Sequence, residues 1–128
     1  MMSVRRPRIK PRPVEGAVLT KAAVRAADSL DMTAKMLAAV IGVSEATVSR
    51  MRKDEFAPER GTKPFELAVL FVRFFRSLDA IVGGDETVAR AWLKNANTAL
   101  GGTPAEKIVT VSGLVDAIAY LDARRAPL

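Results

Sequence analysis

An all-α protein is what this 128-residue sequence predicts, and three observations predict it. Apolar residues recur at helical spacing through most of the chain. Glycine and proline fall between these segments, where helices stop and start. No stretch shows the period-two alternation of a half-buried strand. Hydrophobic residues make up 49% of the chain, enough for a core, but only seven residues are aromatic, so that core must be mostly alanine, valine, leucine and isoleucine. No internal repeat is visible.

The elements follow in order. Residues 1–15, MMSVRRPRIKPRPVE, hold three prolines and no apolar pattern, and read as a disordered basic arm. Val18, Ala22, Val24, Ala26 and Leu30 mark a one-sided helix over 17–30. Thr33 is placed to cap a helix running to Val40, Gly42 breaks it, and Ser44 caps another that ends near Lys53 or Asp54. Pro58 and Gly61 make 54–62 a loop. Pro64 opens a long helix over 63–82, closed by Gly83-Gly84. Asp85 caps a helix over 86–95, Thr103-Pro104 with Glu106 begins a short one, and a last helix covers 113–124.

The segment Ala34-Lys-Met-Leu-Ala-Ala-Val-Ile-Gly-Val-Ser-Glu-Ala-Thr-Val-Ser-Arg-Met51 has the spacing of a helix-turn-helix. Two steeply crossing helices need a small residue where they touch, and Ala38 is there. The turn needs a residue that accepts positive φ, and Gly42 supplies it. Leu37, Ile41, Val43, Val48 and Met51 fall on one shared apolar side. The second helix of such a motif enters the major groove by its N-terminal half. The expected DNA-binding residues are Ser44, Glu45, Ala46, Thr47, Ser49, Arg50 and Lys53. Arg50 suits guanine O6 and N7, Ala46 a thymine methyl, and Ser44 and Thr47 phosphate. Arg52 and Lys53 extend the positive end, and Asp54 and Glu55 offset it. One such motif buries little area, which favours two copies reading two half-sites.

Charge agrees with a polyanionic partner. The net charge is +6, and residues 1–15 contribute +4 of it through Arg5, Arg6, Arg8, Lys10 and Arg12 against Glu15. The chain has no cysteine and no histidine. It can form no disulfide or thiolate site, and it lacks the usual proton-transfer residue of neutral pH. An enzyme would have to rest on carboxylates, and Asp79, Asp85 and Glu86 stand at helix ends as caps do. No metal site and no cofactor are expected. No run of about 18 apolar residues spans a membrane and no apolar segment follows the basic start, so the cytoplasm is expected.

In the long helix, Leu67, Ala68, Val69, Leu70, Phe71, Val72, Phe74, Phe75, Leu78, Ile81 and Val82 cover nearly the whole circumference. A helix apolar all round must be covered all round. Either its own neighbours bury it, or a second copy covers one side. The preferred expectation is a homodimer through Phe71, Phe74, Phe75 and Leu78.

A second signature follows: Ala91-Trp-Leu-Lys-Asn-Ala-Asn-Thr-Ala-Leu-Gly-Gly-Thr-Pro104, then Thr110 and Gly113. Physically it reads as a corner between helices, anchored by the only tryptophan, Trp92, turned by Asn97 and loosened by Gly101-Gly102. In the order Trp92-Leu93, Asn97, Ala99-Leu100-Gly101, Pro104, Thr110 and Gly113, it resembles the C-terminal toxin-binding domain of the Xre/MbcA/ParS antitoxins. Ala96 stands where that family usually has proline. The helix-turn-helix is the companion domain this resemblance implies, and the two together span about residues 17–125.

The resemblance implies an antitoxin whose partner is a RES-domain toxin, similar in fold to ADP-ribosyltransferases and consuming NAD. It implies inhibition by direct binding, with the antitoxin's C-terminal end at the toxin's active-site entrance, and repression of the shared operon. The expected toxin-binding residues are then Tyr120, Leu121, Asp122, Arg124, Arg125, Pro127 and Leu128, with Leu114 and Ile118 adding apolar surface. Arg124 and Arg125 can pair with an acidic catalytic residue, or simply complement the helix dipole. The chain divides accordingly into the arm (1–15), a DNA-binding helix-turn-helix domain (16–62) and a dimerisation and toxin-binding domain (63–128). The rival reading is a stand-alone transcriptional regulator whose second half only dimerises.

Overall fold

The computed structural model describes residues 14–125 and is helical throughout, apart from an isolated bridge between Asn97 and Gly102. The helices are α1 (Val14–Ser29), α2 (Ala34–Ile41), α3 (Glu45–Arg52), α4 (Lys63–Ile81), α5 (Glu86–Lys94), α6 (Pro104–Lys107) and α7 (Val111–Arg125), with a 3₁₀ turn at Thr98–Leu100. Glu15 lies in the first turn of α1 rather than in the expected arm. The rest of that arm, residues 1–13, falls outside the described residues, as do Pro127 and Leu128.

The starts and stops obey local chemistry. The hydroxyls of Thr33, Ser44 and Thr62 and the carboxylate of Asp85 each accept a hydrogen bond from the backbone N–H three residues on. Gly42 closes α2 at φ 74°, a left-handed conformation that a side chain resists. The last helix begins at Val111, two residues before the sequence places it, because Thr110 Oγ1 accepts from the Gly113 N–H at 3.0 Å and adds a turn. Gly113 is also required sterically. A Cβ there would lie 1.8 Å from the carbonyl oxygen of Lys107. This explains the spacing of Thr110 and Gly113: one caps, and the other lets α7 start against the end of α6.

The core is organised on α4, which packs against α1, α2, α5 and α7. Phe71, Phe74 and Leu78 are each 0% exposed, and Phe75 is partly buried. The expected homodimer surface through these four residues is therefore corrected. The chain's own α1, α2 and α7 cover them, and they are core. Flanking helices in place of a second copy satisfy the all-round apolar character of α4. What α4 leaves uncovered is a narrower strip that includes Val69.

An aromatic relay fixes the second half onto α4. Phe71 lies 6.3 Å from Phe74, Phe74 lies 6.1 Å from Trp92, and Trp92 stacks on Tyr120 at 6.4 Å. Trp92 thus ties α5 to both α4 and α7. On the other side, the Arg90 guanidinium donates to the carbonyl of Ser29 at 2.9 Å, joining α5 to the end of α1.

Candidate functional site

Two exposed surfaces carry the candidate residues. The first is the outer face of α3. The turn before it is compact because Val43 N–H and Gly42 N–H both donate to the carbonyl of Ala38. Leu37, Ile41, Val48 and Met51 are buried beneath it. Ser44, Glu45, Ala46, Ser49, Arg50 and Lys53 are all exposed on one side.

Thr47 is not with them. It is 9% exposed, and its hydroxyl is bonded to Ser44 Oγ at 2.9 Å and accepts from Arg50 Nη2 at 3.0 Å. The expectation that Thr47 faces outward is corrected. At the third position of the helix it turns toward the core, and its role is to seat the guanidinium of Arg50. Arg52 is likewise drawn away, pairing with Asp28 of α1 at 2.8 Å. Asp54 is a turn residue, at φ 61°. Sequence reasoning missed Lys21 and Arg25 of α1. They border a depression with Met51, Arg52 and Asp54, so they extend the basic flank of α3. Their spacing of four on an exposed helix face was the available signal.

The second surface is α7 with the corner before it. Asn97 builds that corner. Its Oδ1 accepts from Leu100 N–H at 3.2 Å, and its backbone exchanges both hydrogen bonds with Gly102, while Gly101 takes φ 73°. Trp92, Asn97 and Gly101 therefore shape the unit. Leu114, Ile118 and Leu121 are buried, which corrects Leu121 as a toxin-binding residue and removes Leu114 and Ile118 from the expected apolar contact.

The outward side of α7 carries Val111, Val115 and Ala119 instead, at spacing four, with Val111 58% and Val115 46% exposed. At its end the two arginines differ. Arg124 is exposed, with its guanidinium 5.3 Å from the centre of the Tyr120 ring. Arg125 turns inward and donates to Ser77 Oγ at 3.1 Å.

Ser77 is the hub of that inward contact. It is fully buried, and its hydroxyl donates to Asp122 Oδ1 at 2.6 Å, while Arg73 donates to Asp122 Oδ2 at 2.7 Å. The hydrogen bonds from Ser77 and Arg73, with the positive charge of Arg73 and Arg125, hold the Asp122 carboxyl below its ordinary value of 3.8. Asp122 thus pins α7 to α4, and its charge is already spoken for.

Two family profiles match this chain. The antitoxin Xre-like helix-turn-helix domain covers residues 11–73, and the antitoxin Xre/MbcA/ParS C-terminal toxin-binding domain covers residues 77–126. The chain belongs to the Xre/MbcA/ParS antitoxin family. The two matched regions meet inside α4, whose first part completes the helix-turn-helix core and whose last turns, from Ser77 on, hold α7. No curated protein matches the chain. As in its family, a DNA-binding type of domain precedes a toxin-binding domain, and no helix among the described residues is long and apolar enough to cross a membrane.

Proposed function

We propose that this antitoxin neutralises a RES-domain, ADP-ribosyltransferase-like toxin by covering its NAD-binding cleft, and that it represses its own operon in the cytoplasm as a homodimer. It needs no cofactor and performs no catalysis in this reading. The observation that carries the first job is the outer stripe of α7. Val111, Val115 and Ala119 are uncovered by their own chain and lead toward Arg124, the arginine at the helix end that is not tied to α4. An apolar strip ending in a mobile positive charge suits the rim of a cleft that binds an apolar base beside an acidic catalytic residue.

Repression is supported by the exposed polar face of α3, with Arg50 aimed outward from a stable seat on Thr47. The experiment is co-expression with the product of the adjacent gene, followed by purification and an NAD-consumption assay. A stable complex without NAD turnover is expected. Val115→Asp combined with Arg124→Ala should restore turnover while the chain stays folded, because neither residue is in the core. Full neutralisation by that double variant would reject the α7 stripe as the toxin contact. If no toxin accompanies the protein, the stand-alone regulator reading replaces this one.

A further inference from the structure

The surface of the first half holds one more feature that neither job uses. A groove of about 640 Å³ runs between α1 and α4 and reaches the end of α7. Its floor is apolar: Val18, Leu19, Ala22, Phe65, Val69 and Val72. Val18 is 61% exposed and Val69 43%, large apolar side chains left facing water on two adjacent helices. The charges on its rim are not evenly spread. Glu15 stands at one end, beside the loop that leads into α4, where it meets Arg60 at 3.1 Å. Arg73, Arg76 and Arg125 stand at the other end, eleven residues along α4 from Phe65 in the case of Arg76, or about 16 Å of helix.

We propose that this groove is the homodimer surface, occupied by the same groove of a second copy. A two-fold contact lays two grooves against each other in reverse directions. Val18 and Val69 of the copies then meet in the middle, and each end with Glu15 faces the other copy's arginine end. Arg76 has no hydrogen bond or ion pair among the described residues. The Glu15 carboxylate is engaged by Arg60 only through Oε2, so its Oε1 is open to a second guanidinium. Arg76 of one copy pairing with Glu15 of the other satisfies both, twice per dimer.

Two further placements favour this occupant. The opposite side of α1, with Lys21, Val24 and Arg25, borders α3, so pairing through Val18 and Ala22 leaves the recognition helix uncovered on both copies. The toxin side is also spared. The depression beside Leu70, Val115 and Ala119 shares Arg73 and Asp122 with this groove as a common wall, and their ion pair stands between the two. A second copy and a toxin can therefore sit side by side.

The test is sedimentation of the full chain without DNA or toxin, so that its failure is separable from failure of the antitoxin reading. The wild type should be a dimer. Val69→Asp and Val18→Asp, both at exposed positions, should give folded monomers with unchanged circular dichroism. Arg76→Glu should weaken the dimer at least about tenfold by placing like charges together, and Glu15→Lys with Arg76→Glu should restore it. A monomeric wild type overturns the proposal. So does a dimer that the valine variants leave intact, and so does a Val69→Asp variant that keeps its dimer but loses toxin, which would give the groove to the toxin.

Discussion

Helices α3 and α7 each end in a pair of arginines, and the structure divides each pair the same way. Arg50 and Arg124 lie on the outward side and rest on their own helix, one on the hydroxyl of Thr47 and the other over the ring of Tyr120. Arg52 and Arg125 cross to a neighbour, one to Asp28 and the other to Ser77. The neighbours differ. The Arg52–Asp28 pair is at the surface, with side chains 34% and 57% exposed, whereas Ser77 is fully buried and also holds Asp122. A pair of like residues at a helix end is thus two groups with two tasks: one faces a partner and the other secures the helix. The securing contact at α7 is much the stronger, because water does not compete for its hub.

The starts of the two helices give the sharpest way to break this comparison. Gly113→Ala puts a methyl group 1.8 Å from the Lys107 carbonyl oxygen, so α7 or α6 must move. The helix-propensity gain of alanine is near 1 kcal/mol, and the overlap outweighs it, for a net loss of about 3 kcal/mol. Urea unfolding measures this. The variant should retain DNA affinity at temperatures where it is folded, since α3 is capped independently by Ser44. An unchanged midpoint would mean that the α6–α7 junction is looser than described.

Next in size is Arg50→Ala. Loss of a base-reading arginine should weaken operator binding by about 1–3 kcal/mol and relax the preference at one base pair, with little change in stability. Binding titrations on the operator and on single-base variants report both. Thr47→Val sharpens the result. If Thr47 acts only by seating Arg50, it should produce a smaller loss in the same direction and none in an Arg50→Ala background.

Most of the fold was legible in the sequence because its signals are local. Thr33, Gly42, Ser44, Pro64, Asp85 and Thr103-Pro104 act within a few residues of themselves, and the helices begin and end beside them. The exposed polar face of α3 was legible for the same reason, apart from Thr47, where helical phase alone did not reveal which way the hydroxyl turns. The partners of α7 were not legible. Ser77 and Asp122 are 45 residues apart, and nothing near either one announces the other. The phenylalanines of α4 misled in the same way. Their periodicity says that they are buried, and only the placement of α1, α2 and α7 says by what.

The hub itself supplies the next contrast. Ser77→Ala removes the donor to Asp122 and the acceptor for Arg125 in a site closed to water, and should cost about 1–2 kcal/mol of stability. Arg52→Ala, at the matching place on α3, should cost no more than about 0.5 kcal/mol. Equal losses would contradict the assignment of one contact as buried support and the other as surface pairing.

The smallest effect is the dependence on acid. The Asp122 carboxyl is held below its ordinary value of 3.8 by Ser77 and Arg73. The unfolded chain therefore takes up this proton first as pH falls. The charged carboxylate contributes to stability in full above the ordinary value, and the contribution declines as pH drops through 3.8 toward the lower folded value. Comparison with Asp122→Asn isolates it, since the amide cannot titrate. The wild type should exceed the variant by a constant margin near neutral pH, and the margin should shrink in the acid range below 3.8. Asp28 at α3 serves as the control: its pair with Arg52 is exposed, and Asp28→Asn should show little margin at any pH. A margin for Asp122 that survives acid would place the stabilisation in the shape of the side chain and remove its charge from the latch.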